Sequence, residues 1–191
     1  MNRRTYIKSI LAVGVLGTAS YSLFKWLDIN QPIDVKSLQG YEPLIAELAE
    51  VIIPRTDTPG AKDAFVHQFI IKVILNCNHA RQQQIFMRGL EDLEQYTNDQ
   101  YQQSFLKCSQ AQKESVVQYF SDHAAYSTEL LNKVQKRLWG QSFFTKFRNL
   151  TVEGYCLSEP GATQGLAYDY IPGNFMACVP LQANQKSWAT K

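Results

Sequence analysis

Four cysteines, Cys77, Cys108, Cys156 and Cys178, and three histidines, His67, His79 and His123, are the side chains best suited to metal, thiol or proton-transfer chemistry. Their spacing does not assemble them. No two cysteines form a CxxC pair, no CxxCH run offers haem attachment, and no HExxH offers a zinc site. Cys77 and His79 stand two apart, which on a helix puts them on different faces, so the reading there is a surface histidine beside a core cysteine. In an oxidising compartment the four thiols could pair as disulfides, in more than one connectivity. The alternative is four free thiols buried in the interior, where cysteine is common. Glu91, Asp92 and Glu94 form an acidic cluster that reads as a solvated helix face rather than an acid–base pair. Neither a GxGxxG nor a GxxxxGK[ST] phosphate cradle occurs, and no GxSxG nucleophile elbow. We therefore assign no catalytic residue, no metal ligand set and no cofactor to this chain.

The strongest local signal lies at the start. Arg3-Arg4 is followed by Tyr6, Ile7 and Lys8, then by an apolar stretch diluted with Gly, Ser and Thr from Ser9 to Phe24. A basic start and a modest apolar run read as an export signal, and the paired arginines point to the twin-arginine route, which carries folded proteins. The stretch is 16 residues long, short of the roughly 20 that span a bilayer core, and Lys25 stops its extension. No cysteine follows the run, so no lipid anchor is expected, and no A-x-A cleavage site is visible. The expected location is periplasmic, with peripheral attachment to the inner membrane.

Charge is unevenly placed. The net charge is +2, yet residues 1–26 hold four bases and no acid. The remaining 15 of the 19 Lys and Arg face 17 acids, so the body is mildly acidic. That gives no electrostatic case for nucleic-acid binding.

The elements that must position everything else read as helices. Residues 28–40 read as a polar linker with Pro32. Leu44, Ile45, Leu48, Ala49 and Ile52 then recur at helical spacing until Pro54, followed by an Asp57-Thr58-Pro59-Gly60 turn. Further helices are expected over about 61–76, over about 80–96, and after a Ser109-x-x-Gln112 capping box. Another is expected from about Ser127, with Leu130, Leu131, Val134 and Leu138 on one face, resuming after Gly140 through Phe143, Phe144, Phe147 and Leu150. That aromatic stripe reads as core. From Gly154 onward glycine, proline and tyrosine dominate, and long irregular segments of this kind are usually functional. The expected architecture is all-α: a helical domain of five or six helices over 41–153, a leader over 1–27, and an irregular partner-binding tail over 154–191. No strand alternation and no internal repeat is present.

Several runs together resemble the small-subunit family called gluconate 2-dehydrogenase subunit 3. They are Ile52-Ile53-Pro54-Arg55-Thr56-Asp57-Thr58-Pro59-Gly60-Ala61, Phe143-Phe144 and Leu150-Thr151-Val152-Glu153-Gly154-Tyr155. Ser158-Glu159-Pro160-Gly161-Ala162-Thr163 and Tyr170-Ile171-Pro172-Gly173-Asn174-Phe175 complete the pattern. Cys156 departs from it, where an aromatic or polar residue would be expected. The resemblance implies a non-catalytic partner of a membrane-bound dehydrogenase acting on sugars or sugar acids. FAD would sit in a large subunit of the glucose-methanol-choline type, and a multihaem cytochrome c could take electrons onward through haem c. The small chain would supply the export signal to the twin-arginine translocase and support folding of the flavoprotein. Tyr155, Glu159, Gly161, Thr163, Gln164, Tyr168, Pro172 and Gly173 are the expected contacts. Two other readings stay open: a stand-alone periplasmic enzyme built on the four cysteines, and an export chaperone that binds its client transiently.

Overall fold

The computed structural model describes residues 33–124, 142–171, 173, 178–181 and 183–189. The leader residues Arg3, Arg4, Tyr6, Ile7 and Lys8, the helix expected from Ser127, and Pro172 lie outside these. Six α-helices carry the described chain: α1 Val35–Gly40, α2 Glu42–Ile52, α3 Val66–Cys77, α4 Ala80–Tyr101, α5 Gln110–Asp122 and α6 Phe143–Leu157. A 3₁₀ turn spans Phe105–Lys107 and a π turn spans Gly161–Gly165. The described residues form no sheet, and the fold is all-α. None of the described helices is long and apolar enough to cross a membrane.

The helices follow from their patterning. In α2, Leu44, Ile45, Leu48 and Ala49 form one buried stripe while Glu42, Glu47 and Glu50 stay on the wetter side. Pro54 cannot donate a helical hydrogen bond, and α2 ends two residues before it. The Ser109–Gln112 capping box forms at the start of α5, with Gln112 N donating to Ser109 Oγ and Ser109 N to Gln112 Oε1. The core joins Ile45 and Leu48 of α2 to Val66, Ile70 and Ile74 of α3, Phe86, Leu90 and Leu93 of α4, and Phe147 of α6. Phe86 meets Phe143 edge-on at 5.4 Å between ring centroids and stacks on Phe147 at 6.1 Å. The Phe143–Leu150 stripe is core, as its spacing suggests.

Two glycines set how closely helices meet. A Cβ on Gly89 would lie 2.0 Å from Phe143 Cγ, and one on Gly154 would lie 2.7 Å from Phe69 Cδ1. Buried Gln83 of α4 serves the end of α3: its Nε2 donates to the carbonyls of Ile74, Leu75 and Asn78 at 3.2, 3.0 and 3.1 Å. These are carbonyls that a helix terminus leaves without an internal partner.

Four boundaries differ from the sequence reading. The expected 28–40 linker contains α1, capped by Asp34 and anchored by fully buried Leu38. The helix expected from Ala61 starts at Val66, because Phe65 takes a left-handed conformation at φ 52°. α4 runs on to Tyr101. α6 continues through Gly154 to Leu157, so the tail begins later than its glycine suggests.

Candidate partner-binding face

The Pro54–Asp63 turn is knit by carboxylates from the helices it joins. Glu50 accepts from Arg55 N through Oε1 at 2.9 Å and from Lys62 N through Oε2 at 2.8 Å. Asp63 Oδ2 accepts from Gly60 N at 3.1 Å, and Ala61 N donates to Ile53 O at 2.9 Å. Only glycine fits position 60, because a Cβ would come within 2.4 Å and 2.6 Å of the two Glu50 carboxylate oxygens and 2.7 Å of Arg55 N.

Charge fixes the same turn to the bundle. Glu47 of α2 accepts from buried Lys113 of α5 at 2.7 Å and also pairs with Lys62 of the turn. Burial alone would raise the Glu47 pKa, but hydrogen bonds from Lys113 and Lys62 and their charges outweigh it and hold the carboxyl below its usual value.

The first part of the glycine-rich tail packs directly onto this turn. Tyr155 Oη donates to Pro59 O at 2.9 Å. The tyrosine is buried, and a Cβ on Gly165 would lie 2.5 Å from its Oη. One on Gly161 would lie 2.0 Å from its carbonyl oxygen. Ser158 closes the bend: its Oγ donates to Tyr155 O at 2.7 Å, and Gly161 N donates to that Oγ at 3.1 Å. Between turn and tail lies a recess of about 330 Å³, bordered by Arg55, Thr58, Pro59, Asp63, Pro160 and Gln164. Two segments about a hundred residues apart in sequence thus make one continuous surface.

Beyond the recess the chain turns outward and returns. Ala167 N donates to Ser187 O and Ala189 N to Ala167 O, both at 2.8 Å, forming a parallel bridge between Ala167 and Trp188. Lys186 Nζ donates to Gln164 O at 2.5 Å beside it. The chain between these clasped ends displays Tyr168, Tyr170, Ile171 and Leu181 to solvent.

The family model for gluconate 2-dehydrogenase subunit 3 matches residues 41–173, which include the turn, α6, the π turn and the start of the exposed tail. The chain belongs to that family. No curated protein and no solved structure matches it.

For this subunit 3 member, the expected contact residues fall into two groups. Tyr155 and Gly161 are buried and hold the tail to the turn, so they shape the face rather than form its surface. Glu159, Thr163, Gln164, Tyr168 and Gly173 are exposed. Thr163 Oγ1 is turned to its own chain, donating to Glu159 O at 2.7 Å. The four cysteines are free thiols: Cys108 is buried, Cys156 half-buried, and Cys77 and Cys178 exposed. Cys77 is therefore not a core cysteine, because it occupies the last position of α3, and His79 lies on the next helix as the α4 N-cap. Within the acidic cluster, Glu91 and Asp92 are solvated as expected, while Glu94 Oε2 accepts from Phe105 N at 3.1 Å and holds the 3₁₀ turn. No group of three His, Cys, Asp or Glu among the described residues could hold a metal ion.

That Arg55 and Asp63 border this recess was not read from the sequence. The signal available was the turn itself, whose flanking Glu50 and Asp63 are spaced to accept its backbone N–H groups.

Proposed function

We propose that this chain is the non-catalytic small subunit of a flavin-dependent dehydrogenase of sugars or sugar acids, acting in the periplasm. Its leader delivers the assembled pair to the twin-arginine translocase, and its folded body stabilises the large subunit. FAD belongs to that large subunit, of the glucose-methanol-choline type, and a multihaem cytochrome c with haem c takes electrons onward. The observation that carries the reading is the family match over 41–173. It is supported by the continuous face that the matched turn and tail build together, with Glu159, Gln164, Tyr168 and Gly173 on its exposed side. A partner that binds only the folded state of another protein stabilises it by mass action, by about 2.7 kcal/mol at a hundredfold excess over Kd. That is enough to govern how much flavoprotein survives to be exported.

The test is a pull-down of the tagged full-length chain from the periplasm, followed by an absorbance spectrum. A large co-purifying subunit with flavin absorption is the expected result. A colourless chain recovered alone from the wild-type strain would refute the assignment.

A further inference from the structure

Ala167 carries the one strand-like pairing among the described residues. Its N–H donates to Ser187 O and its carbonyl accepts from Ala189 N, both at 2.8 Å, in a parallel bridge to Trp188. Lys186 Nζ donates to Gln164 O beside it. The backbone edge from Gln164 to Ala167 therefore takes an extended segment, and the segment it takes is the chain's own residues 186–189. Gln164 also borders the recess, so the edge adjoins the face formed by turn and tail. The edge lies inside the family match, whereas the segment covering it lies beyond the end of that match at 173.

The covering segment is lightly held. Among the described residues, three hydrogen bonds join 186–189 to the tail. Lys186, Ser187 and Trp188 are exposed, and Trp188 keeps 56% of its surface open even at the centre of the bridge. Backbone hydrogen bonds contribute modestly on balance, because water makes the same bonds, and apolar burial is the larger force that fixes one segment on another. A segment attached by the first and nearly without the second is readily exchanged for another that makes the same bonds. Once it leaves, the Ala167 N–H and carbonyl and the Gln164 carbonyl stand unpaired, which is the feature by which a strand edge recruits another chain.

We propose that residues 186–189 are a self-inhibitory strap: they occupy this edge in the free subunit, and an extended segment of the large dehydrogenase subunit replaces them, pairing main chain to main chain at Ala167. This rests on the subunit reading above and deepens it by naming the mode of contact. In strand addition, backbone bonds supply affinity and adjoining pockets supply specificity. The pocket here is the recess bordered by Arg55, Asp63 and Gln164. The strap sets the strength of the contact. When only a fraction of a protein is competent to bind, its apparent Kd rises by the inverse of that fraction, so a strap closed nine-tenths of the time weakens binding about tenfold. The same closed fraction shields the Ala167 amide from hydrogen exchange. Two independent measurements must therefore return one factor.

The parent chain, a truncation after Gln185 and Ala189→Pro are each titrated against dehydrogenase released from the co-purified complex. Ala189→Pro removes the N–H donated to Ala167 O and leaves the rest of the strap in place. Hydrogen exchange at the Ala167 amide of the free parent gives the closed fraction, and thermal melting checks the fold. The expected result is binding about tenfold tighter for the truncation, an intermediate gain for Ala189→Pro, and an Ala167 protection factor in the parent that matches the truncation's gain. A truncation that binds no tighter than the parent, or more weakly, overturns the strap. So does an Ala167 amide that exchanges in the parent as fast as in an unstructured peptide. If the truncation melts well below the parent, Ala189→Pro decides, and an unchanged Kd there overturns the inference. If none of the three binds dehydrogenase, the subunit reading itself fails and this inference falls with it.

Discussion

Removing one oxygen from Tyr155 should loosen the tail from the turn by a predictable amount. In Tyr155→Phe the ring stays in its buried slot, but Pro59 O loses its 2.9 Å donor. A typical hydrogen bond contributes about 0.5–1.5 kcal/mol net, and a carbonyl left partly buried and unpaired adds to the cost, so about 1–2 kcal/mol is expected. For a chain of this size that is a fall in Tm of roughly 3–6 °C. The same oxygen is the nearest neighbour of Gly165, at 2.5 Å from a Cβ built there, with Cε1 next at 3.0 Å. Gly165→Ala must therefore push the hydroxyl off Pro59 in the parent, yet meets a softer contact once the hydroxyl is gone. The two substitutions should be coupled: the double variant should be more stable than the sum of the singles predicts, by about 1 kcal/mol. Denaturant unfolding of the four proteins, at one protein concentration and without partner, gives the cycle. Additivity within about 0.3–0.5 kcal/mol would refute the packing of Tyr155 between Gly165 and Pro59, whatever the single-variant values.

Other expectations follow from the same geometry. Gly60→Ala should destabilise by about 1–3 kcal/mol, because the added carbon meets two oxygens already committed to Arg55 N and Lys62 N; a melt unchanged from the parent would contradict that. Glu47→Gln should cost about 2–4 kcal/mol by leaving Lys113 charged and buried without its counter-charge, whereas Glu47→Leu/Lys113→Met should recover much of it, as judged by chemical unfolding. The depressed Glu47 carboxyl gives stability that is present above its ordinary value of 4.5 and lost as pH falls through its lower folded value, so the Glu47→Gln variant should show a shallower loss in that acid range. His67 has the opposite chemistry but a similar slope. Burial pushes its pKa down despite Glu42, and the unfolded chain therefore takes up the proton first. Stability should decline as pH falls below about 6.5, and His67→Gln should remove that part of the slope in unfolding curves taken from pH 7.5 to 5.

How much of this was legible depended on whether a residue's neighbours were local. α2 was legible because its stripe, Leu44, Ile45, Leu48 and Ala49, keeps helical spacing over nearly two turns and the helix stops two residues before a proline, and the α5 capping box because both partners lie within four residues. α1 was not, since six residues with a single buried side chain, Leu38, hold no period to detect. The tail shows the limit most clearly. Glycine discourages helix in isolation, which made Gly154 look like the end of α6. In the structure Gly154 is inside the helix because Phe69 of α3 occupies the space where its Cβ would be. The same holds for Gly161 and Gly165, which clear room for Tyr155, a residue expected from the family resemblance to be a partner contact. A run rich in glycine and tyrosine thus encodes two opposite things: glycines that let one tyrosine be buried against a turn ninety-odd residues away, and positions beyond them where Tyr168 and Tyr170 stay exposed. Only the long-range contacts, Tyr155 to Pro59 and Ala167 to Ser187 and Ala189, divide it into the part that holds the fold and the part left exposed.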